Sequence, residues 1–137
     1  YIKIIQVIRN LISNAVKFSG DSKKIVISID KSSIEIEGEQ FEALELQVID
    51  FGIGIPPNEN DEIFEKFVQS SKTDSGAGGT GLGLSICKEI INRHYGSIKA
   101  FLNPEGSGSV FLFNIPVDFK KNAGKLYQKK LYKKTAI

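Results

Sequence analysis

The opening residues, YIKIIQVIRNLISNAVKF, place apolar and polar side chains with a helical period. At about 100° per residue, Ile4, Ile5, Ile8, Leu11, Ile12, Ala15 and Val16 fall on one side, with Lys3, Gln6, Arg9, Asn10, Asn14 and Lys17 on the other. The pattern predicts an amphipathic helix with a wide buried face, ended by Ser19-Gly20-Asp21-Ser22. It starts at residue 1 with no cap ahead of it, as a piece of a longer chain would. The period then shortens to two. Lys24 to Asp30 is β-branched and reads as a strand, and Ser33 to Glu37 alternates as a half-exposed strand does. After a turn around Gly38-Glu39-Gln40, a further strand runs from Ala43 to Asp50, and its apolar end predicts a place in the middle of a sheet. Asp50 therefore stands at a strand's C-terminal end.

Pro56-Pro57 breaks regular structure, and Glu62 to Phe67 predicts one or two helical turns. The following VQSSKTDSGAGGTG has too few large apolar residues to pack and reads as a mobile loop. A second amphipathic helix is expected from Leu82 to Tyr95, with Leu84, Cys87, Ile90 and Ile91 inward. Ser97 to Leu102 and Ser109 to Ile115 then form a hairpin around NPEGSG. This order predicts an α+β two-layer sandwich, a mixed but mainly antiparallel sheet covered on one face by helices. No internal repeat is present.

At 137 residues and 41% hydrophobic, the chain suffices for one domain with an ordinary core, not for two. A net charge of +2 is too small to imply nucleic acid over the whole surface. The basic excess is local, with Lys120, Lys121, Lys125, Lys129, Lys130, Lys133 and Lys134 crowding the C-terminal end. The single Cys87 excludes an internal disulfide and fits a reducing compartment. No apolar run approaches the roughly 20 residues of a membrane span, so the expectation is a cytoplasmic fragment whose parent is free to be membrane-anchored.

Three local patterns carry chemistry. Asp50-Phe51-Gly52 resembles the metal-holding triplet of Ser/Thr/Tyr kinases, but the chain is about half the needed length and has neither their His-Arg-Asp loop nor their Val-Ala-Ile-Lys strand. A carboxylate there suits a hydrogen bond from adenine's exocyclic amine, with Gly52 and Gly54 allowing the backbone to approach a base or turn beneath it. The alternative is an ordinary turn aspartate. Asn10, Asn14 and Lys17 lie at i, i+4 and i+7 along one helical strip, where asparagine is a poor helix former. A solvated face is one reading. The other is a site where an amide oxygen ligates Mg²⁺ and the lysine meets phosphate. Finally, Gly78-Gly79-Thr80-Gly81-Leu82-Gly83-Leu84 precedes a helix N-terminus, a setting for phosphate. It lacks the Gly-Lys-[Ser/Thr] of a Walker A loop and the preceding strand of a Rossmann turn.

In this order the segments resemble the catalytic ATP-binding domain of sensor histidine kinases, within the group that includes DNA gyrase, a class of heat-shock chaperones and the MutL repair proteins. QVIRNLISNAVKF resembles the N box, DFGIG the first glycine box, EIFEKF the F box and GGTGLGL the second glycine box. The resemblance implies a Bergerat-type fold over residues 1–118, with 119–137 a lysine-rich tail or linker. It implies ATP and Mg²⁺ as cofactors, with Asn14 the metal ligand. Nucleotide contacts are implied for Asn14, Lys17, Phe18, Asp50, Gly52, Gly54, Ile55, Lys72, Gly79, Thr80, Gly81, Leu82 and Gly83. Residues 68–79 would be the ATP lid, positioned by Phe64 and Phe67. Asn10 stands where ATP-hydrolysing relatives carry a water-activating glutamate, and an amide accepts no proton at neutral pH. Phosphoryl transfer to a side chain is therefore favoured over hydrolysis, and Asn10 is assigned to the catalytic set. The implied partners are upstream dimerisation and histidine-phosphotransfer helices and a response-regulator receiver domain, in a homodimeric parent, with no nucleic acid.

Some positions depart from the family pattern or fall outside its motifs. The lid's basic residue is Lys72, where relatives often have arginine. His94 is expected as a surface or packing residue rather than a phosphoacceptor, and Cys87 as core. The tail reads first as a solvated linker to a following domain. Rival readings are a non-catalytic nucleotide-sensing or interaction module of the same fold, a gyrase-like ATPase, and a smaller serine kinase of the anti-sigma-factor type.

Overall fold

The computed structural model describes residues 2–55, 57–65 and 83–118. Helix α1 spans Ile2–Phe18, β1 Ile25–Ile36, β2 Glu39–Asp50, α2 Gly83–Arg93, β3 Ser97–Leu102 and β4 Ser109–Pro116, with single 3₁₀ turns at Gly20–Ser22, Pro57–Glu59 and Glu62–Phe64. The four strands are ordered β1-β2-β4-β3, and every pairing between them is antiparallel. This is the expected α+β architecture, with β2 inside the sheet as its apolar end predicted.

Two expectations are corrected. The segments 24–30 and 33–37 are one strand, paired residue for residue with β2 from Ile25↔Asp50 to Ile36↔Glu39. Lys31 and Ser32, which read as a break, are carried by that pairing. The hairpin closes on Glu37 and Gly38, both left-handed with φ of 51° and 80°, the two-residue turn whose twist matches its strands. The buried stripe of α1 is also rotated from the expected one. Val7, Leu11 and Ala15 are its fully buried centre, flanked by Ile4, Ile8 and Ile12, whereas Ile5 and Val16 are exposed. An arc of eight apolar residues is wider than the surface α2 and the sheet offer, so packing chooses its centre.

Pleating sends Leu46 and Val48 of β2 and Phe111 and Phe113 of β4 toward the helices. There they meet Val7, Leu11, Cys87, Ile90, Ile91, Ile63 and Phe64 in one core. Phe64 meets Phe111 edge to face, ring centroids 6.3 Å apart. Truncating a residue as buried as Leu11 to alanine costs about 2–5 kcal/mol. Farther along β2 the buried positions are Phe41 and Ala43. Since no bulge interrupts the register, these two lie on the opposite sheet face. Helix α2 ends at a left-handed Tyr95 (φ 59°), with Tyr95 N–H donating to Asn92 O and Gly96 N–H to Ile91 O, both at 3.0 Å. That double bond pattern satisfies the last carbonyls and turns the chain into β3.

Candidate functional site

Asp50 ends β2 and is only 2% exposed. A carboxylate shut away from water needs hydrogen-bond donors, and three reach it. Gly52 N–H (3.0 Å) and Ser109 N–H (3.3 Å) donate to Oδ1, and the Ser109 hydroxyl donates to Oδ2 at 2.8 Å. An ionised carboxylate offers about four lone-pair sites. Among the described residues, the acceptor position left open is therefore on Oδ2.

The loop after Asp50 is wedged between two other segments. On one side Gly52 lies against the end of α1, where an added Cβ would sit 2.7 Å from the Phe18 carbonyl carbon and 2.8 Å from Ser19 Cα. Ile53 N–H donates to the Phe18 carbonyl at 3.4 Å. On the other side the β3–β4 loop reaches in. The Asn103 amide donates to Asp50 O and the Ser107 hydroxyl to Phe51 O. A Cβ on Gly108 would stand 2.6 Å from both the Asp50 carbonyl carbon and Phe51 Cα. Gly54, left-handed at φ 75°, faces Leu102 and the Gly108 carbonyl. Gly52 and Gly54 thus make room for neighbouring protein backbone.

Helix α1 brings its C-terminal end to this loop. Asn14 is half-buried and has no hydrogen-bond partner among the described residues; Lys17 is exposed, its Nζ 5.3 Å from the centre of the half-buried Phe18 ring. Lysine in a last helical turn is favoured by the helix dipole. One turn earlier, Asn10 Nδ2 donates to the Gly83 carbonyl at 3.5 Å, joining α1 to the first residue of α2. Burial pushes the pKa of the Cys87 thiol up to about 11, against a lowering influence of the Asn10 amide; the thiol itself donates to Val7 O at 3.9 Å. Ile55, expected among the nucleotide contacts, packs into the core. His94 is half-buried with Nδ1 2.7 Å from Ile90 O. Phe67, Lys72, Gly79, Thr80, Gly81 and Leu82, the rest of the expected lid and the tail from Phe119 lie outside the described residues.

The structure therefore sets the loop carrying Asp50, Gly52 and Gly54 against Phe18 and Ser19 at the C-terminal end of α1, the helix that carries Asn14 and Lys17, while Asn10 faces the start of α2. Sequence reasoning missed Asn103, Ser107, Gly108 and Ser109, which read as a plain hairpin turn. The signal available was the run Gly106-Ser107-Gly108-Ser109, two glycines alternating with two serines where the turn passes into β4.

The family model described as "Histidine kinase-, DNA gyrase B-, and HSP90-like ATPase" matches residues 1–118. The chain belongs to that family. Within it, several of the similar proteins are named sensor histidine kinases. Sensor histidine kinase WalK of Bacillus subtilis (strain 168) is 40% identical over 115 residues, covering 83% of this chain and 18% of WalK. The mycobacterial sensor histidine kinase MprB superposes with a TM-score of 0.65 at 28% identity, over 81% of this chain and 70% of that one. Full-length ShkA, solved in complex with AMPPNP, gives a TM-score of 0.58 at 30% identity, over 83% of this chain and 21% of ShkA. The chain spans less than a fifth of WalK's length and corresponds to the catalytic ATP-binding domain of a sensor histidine kinase. No described helix is long and apolar enough to cross a membrane.

Proposed function

We propose that this domain binds Mg-ATP and, in its parent protein, donates the γ-phosphoryl group to a histidine on an upstream dimerisation helix, for onward transfer to a receiver aspartate. The bond from the γ-phosphorus to the β,γ-bridging oxygen breaks, a bond to an imidazole nitrogen forms, and ADP leaves. The observation that carries the reading is Asp50. Its buried carboxylate is held by three donors and keeps an acceptor position on Oδ2. Adenine's 6-amino group donates to such a position, whereas guanine's 6-oxo group meets it acceptor to acceptor and is rejected. The AMPPNP complex of the related ShkA supports an adenine nucleotide here.

Asn14 and Lys17 suit the phosphate end. Among the described residues no three His, Cys, Asp or Glu side chains cluster as a metal site, so a divalent ion would be held by the Asn14 amide oxygen together with phosphate oxygens and water. Mg²⁺ commonly binds in that way, and there it would neutralise phosphate charge. The amide of Asn10 cannot take a proton from water, which disfavours simple hydrolysis.

Calorimetric titration with a non-hydrolysable ATP analogue, with and without Mg²⁺, alongside GTP and Asp50→Asn, tests the proposal. Binding of the analogue but not GTP, lost in Asp50→Asn, is the expected result. A folded wild type that binds no nucleotide would replace the reading with a non-catalytic module of the same fold.

A further inference from the structure

The bonds that fix Asp50 originate largely in one loop, and one side chain organises that loop. Asn103 is 6% exposed at the end of β3. Its Oδ1 accepts from Glu105 N–H at 3.0 Å and its own N–H donates to Gly108 O at 3.0 Å, which folds residues 103–108 into a compact turn. Its Nδ2 donates outward and inward at once, to Asp50 O at 3.4 Å and to Ser107 O at 3.3 Å. Both polar atoms of a nearly buried side chain are thus committed, one to shaping the turn and the other to gripping β2.

We infer that Asn103 is a positioning residue for the base-reading carboxylate. Through Nδ2 it pins the main chain of Asp50, and through the turn it closes, it delivers Ser109, whose N–H and hydroxyl hold the two carboxylate oxygens. Ser107, placed by the same turn, holds the next carbonyl along, that of Phe51. Backbone and side chain of Asp50 are then both held from the β3–β4 connection, alongside the Gly52 N–H on Oδ1, leaving the open position on Oδ2 in a defined direction. Only an amide meets this demand. Aspartate keeps the Oδ1 acceptor that shapes the turn and lacks the Nδ2 donor; serine is too short to serve both ends. The inference rests on the reading that Asp50 accepts a hydrogen bond from adenine.

The test uses the whole chain with Asn103→Ala and Asn103→Asp. The probes are a non-hydrolysable ATP analogue, adenosine and inorganic tripolyphosphate, each with Mg²⁺, and amide NMR spectra establish folding. Asn103→Asp retains the turn's acceptor and loses the grip on Asp50, while setting a carboxylate oxygen against the Asp50 and Ser107 carbonyls; Asn103→Ala loses the same grip without adding a charge, and the NMR spectra establish which variants are folded. Both variants are expected to weaken the ATP analogue and adenosine by the same factor, about tenfold for a lost buried hydrogen bond, and to leave tripolyphosphate unchanged. Wild-type adenosine affinity in folded Asn103→Asp would overturn the inference. Equal loss of tripolyphosphate would do so as well, since it would mark general damage. Failure of both variants to fold would make Asn103 a residue of folding rather than of positioning. A wild type that binds neither adenine compound would overturn the adenine reading itself, a result visible before any variant is made.

Discussion

Replacing Gly52 with alanine tests whether the contact between the Asp50 loop and α1 sets the site. The new Cβ would lie 2.7 Å from the Phe18 carbonyl carbon, against an ordinary contact of 3.4 Å or more, so the two segments must part by about 0.7 Å, and the adjoining carbonyl oxygen demands more. All the atoms it meets are backbone, and no rotamer change relieves them. Parting stretches the Ile53 N–H to Phe18 O bond and pulls Gly52 N–H from Asp50 Oδ1. Overpacking typically costs about 1–3 kcal/mol and each weakened hydrogen bond about 1 kcal/mol, so a loss of about 3 kcal/mol is expected. In a domain of this size that is a fall in Tm of roughly 10 °C or more. Loss of the Gly52 N–H bond to Asp50 Oδ1 is also expected to weaken binding of the ATP analogue by about tenfold. Gly38→Ala is the control: its φ is +80° but nothing lies within 4 Å of its Cβ, so only the left-handed strain of about 1–2 kcal/mol applies. Calorimetric melting and titration with the ATP analogue read both effects. If Gly52→Ala melts no lower than Gly38→Ala and binds like the wild type, the contact does not govern the site.

Three further outcomes follow from the same geometry. Ser109→Ala removes the 2.8 Å bond to Asp50 Oδ2 and is expected to weaken ATP-analogue binding about tenfold while narrowing the preference over GTP, as measured by competition titration. Asn14→Ala is expected to abolish the Mg²⁺-dependent part of the analogue's affinity and spare adenosine, a split that calorimetry with and without Mg²⁺ reports. The folded state raises the Cys87 pKa from 9.0 to about 11 by burial. The thiol's contribution is therefore complete below pH 9 and is lost as pH rises through about 11, by about 2–3 kcal/mol in all. Denaturant melts should show the stability gap between wild type and Cys87→Ala closing over that interval, and a gap that stays constant would refute the assignment.

The elements were legible wherever periodicity and chemistry agreed. The β4 run, expected from Ser109 to Ile115 and found over Ser109–Pro116, the inward positions Cys87, Ile90 and Ile91, and the central place of β2 are all visible in the residue pattern. Where several arrangements satisfy the pattern, tertiary packing decides. Ile5 and Val16 lie within an apolar arc of α1, yet only Val7, Leu11 and Ala15 find a fully covered place. Lys31 and Ser32 interrupt the apolar rhythm of β1 without breaking it, because pairing with Leu44 and Ala43 compensates. In the site, Asp50 is legible because a carboxylate after an apolar strand is chemically conspicuous. Its holders are not, because Ser109 and Asn103 lie 59 and 53 residues away and meet it only through strand pairing.

That separation has a physical consequence for how the domain reads a nucleotide. On the function proposed above, base reading and phosphate binding would rest on different elements: Asp50 on β2, clamped by the β3–β4 loop, and Asn14 and Lys17 on α1. The distance between them is set where Gly52 abuts Phe18 and Ser19, a contact of backbone on backbone with no side chain to adapt. Backbone contacts are stiff because close-packed interiors do not deform by small increments. The clamp and the joint therefore act on different quantities. Loosening the loop around Asn103 blurs the direction of one acceptor and weakens any adenine compound alike. Spreading the Gly52 joint leaves the Ser109 bonds to the carboxylate in place and mis-sets the span between base and phosphates, so it weakens the full nucleotide more than adenosine.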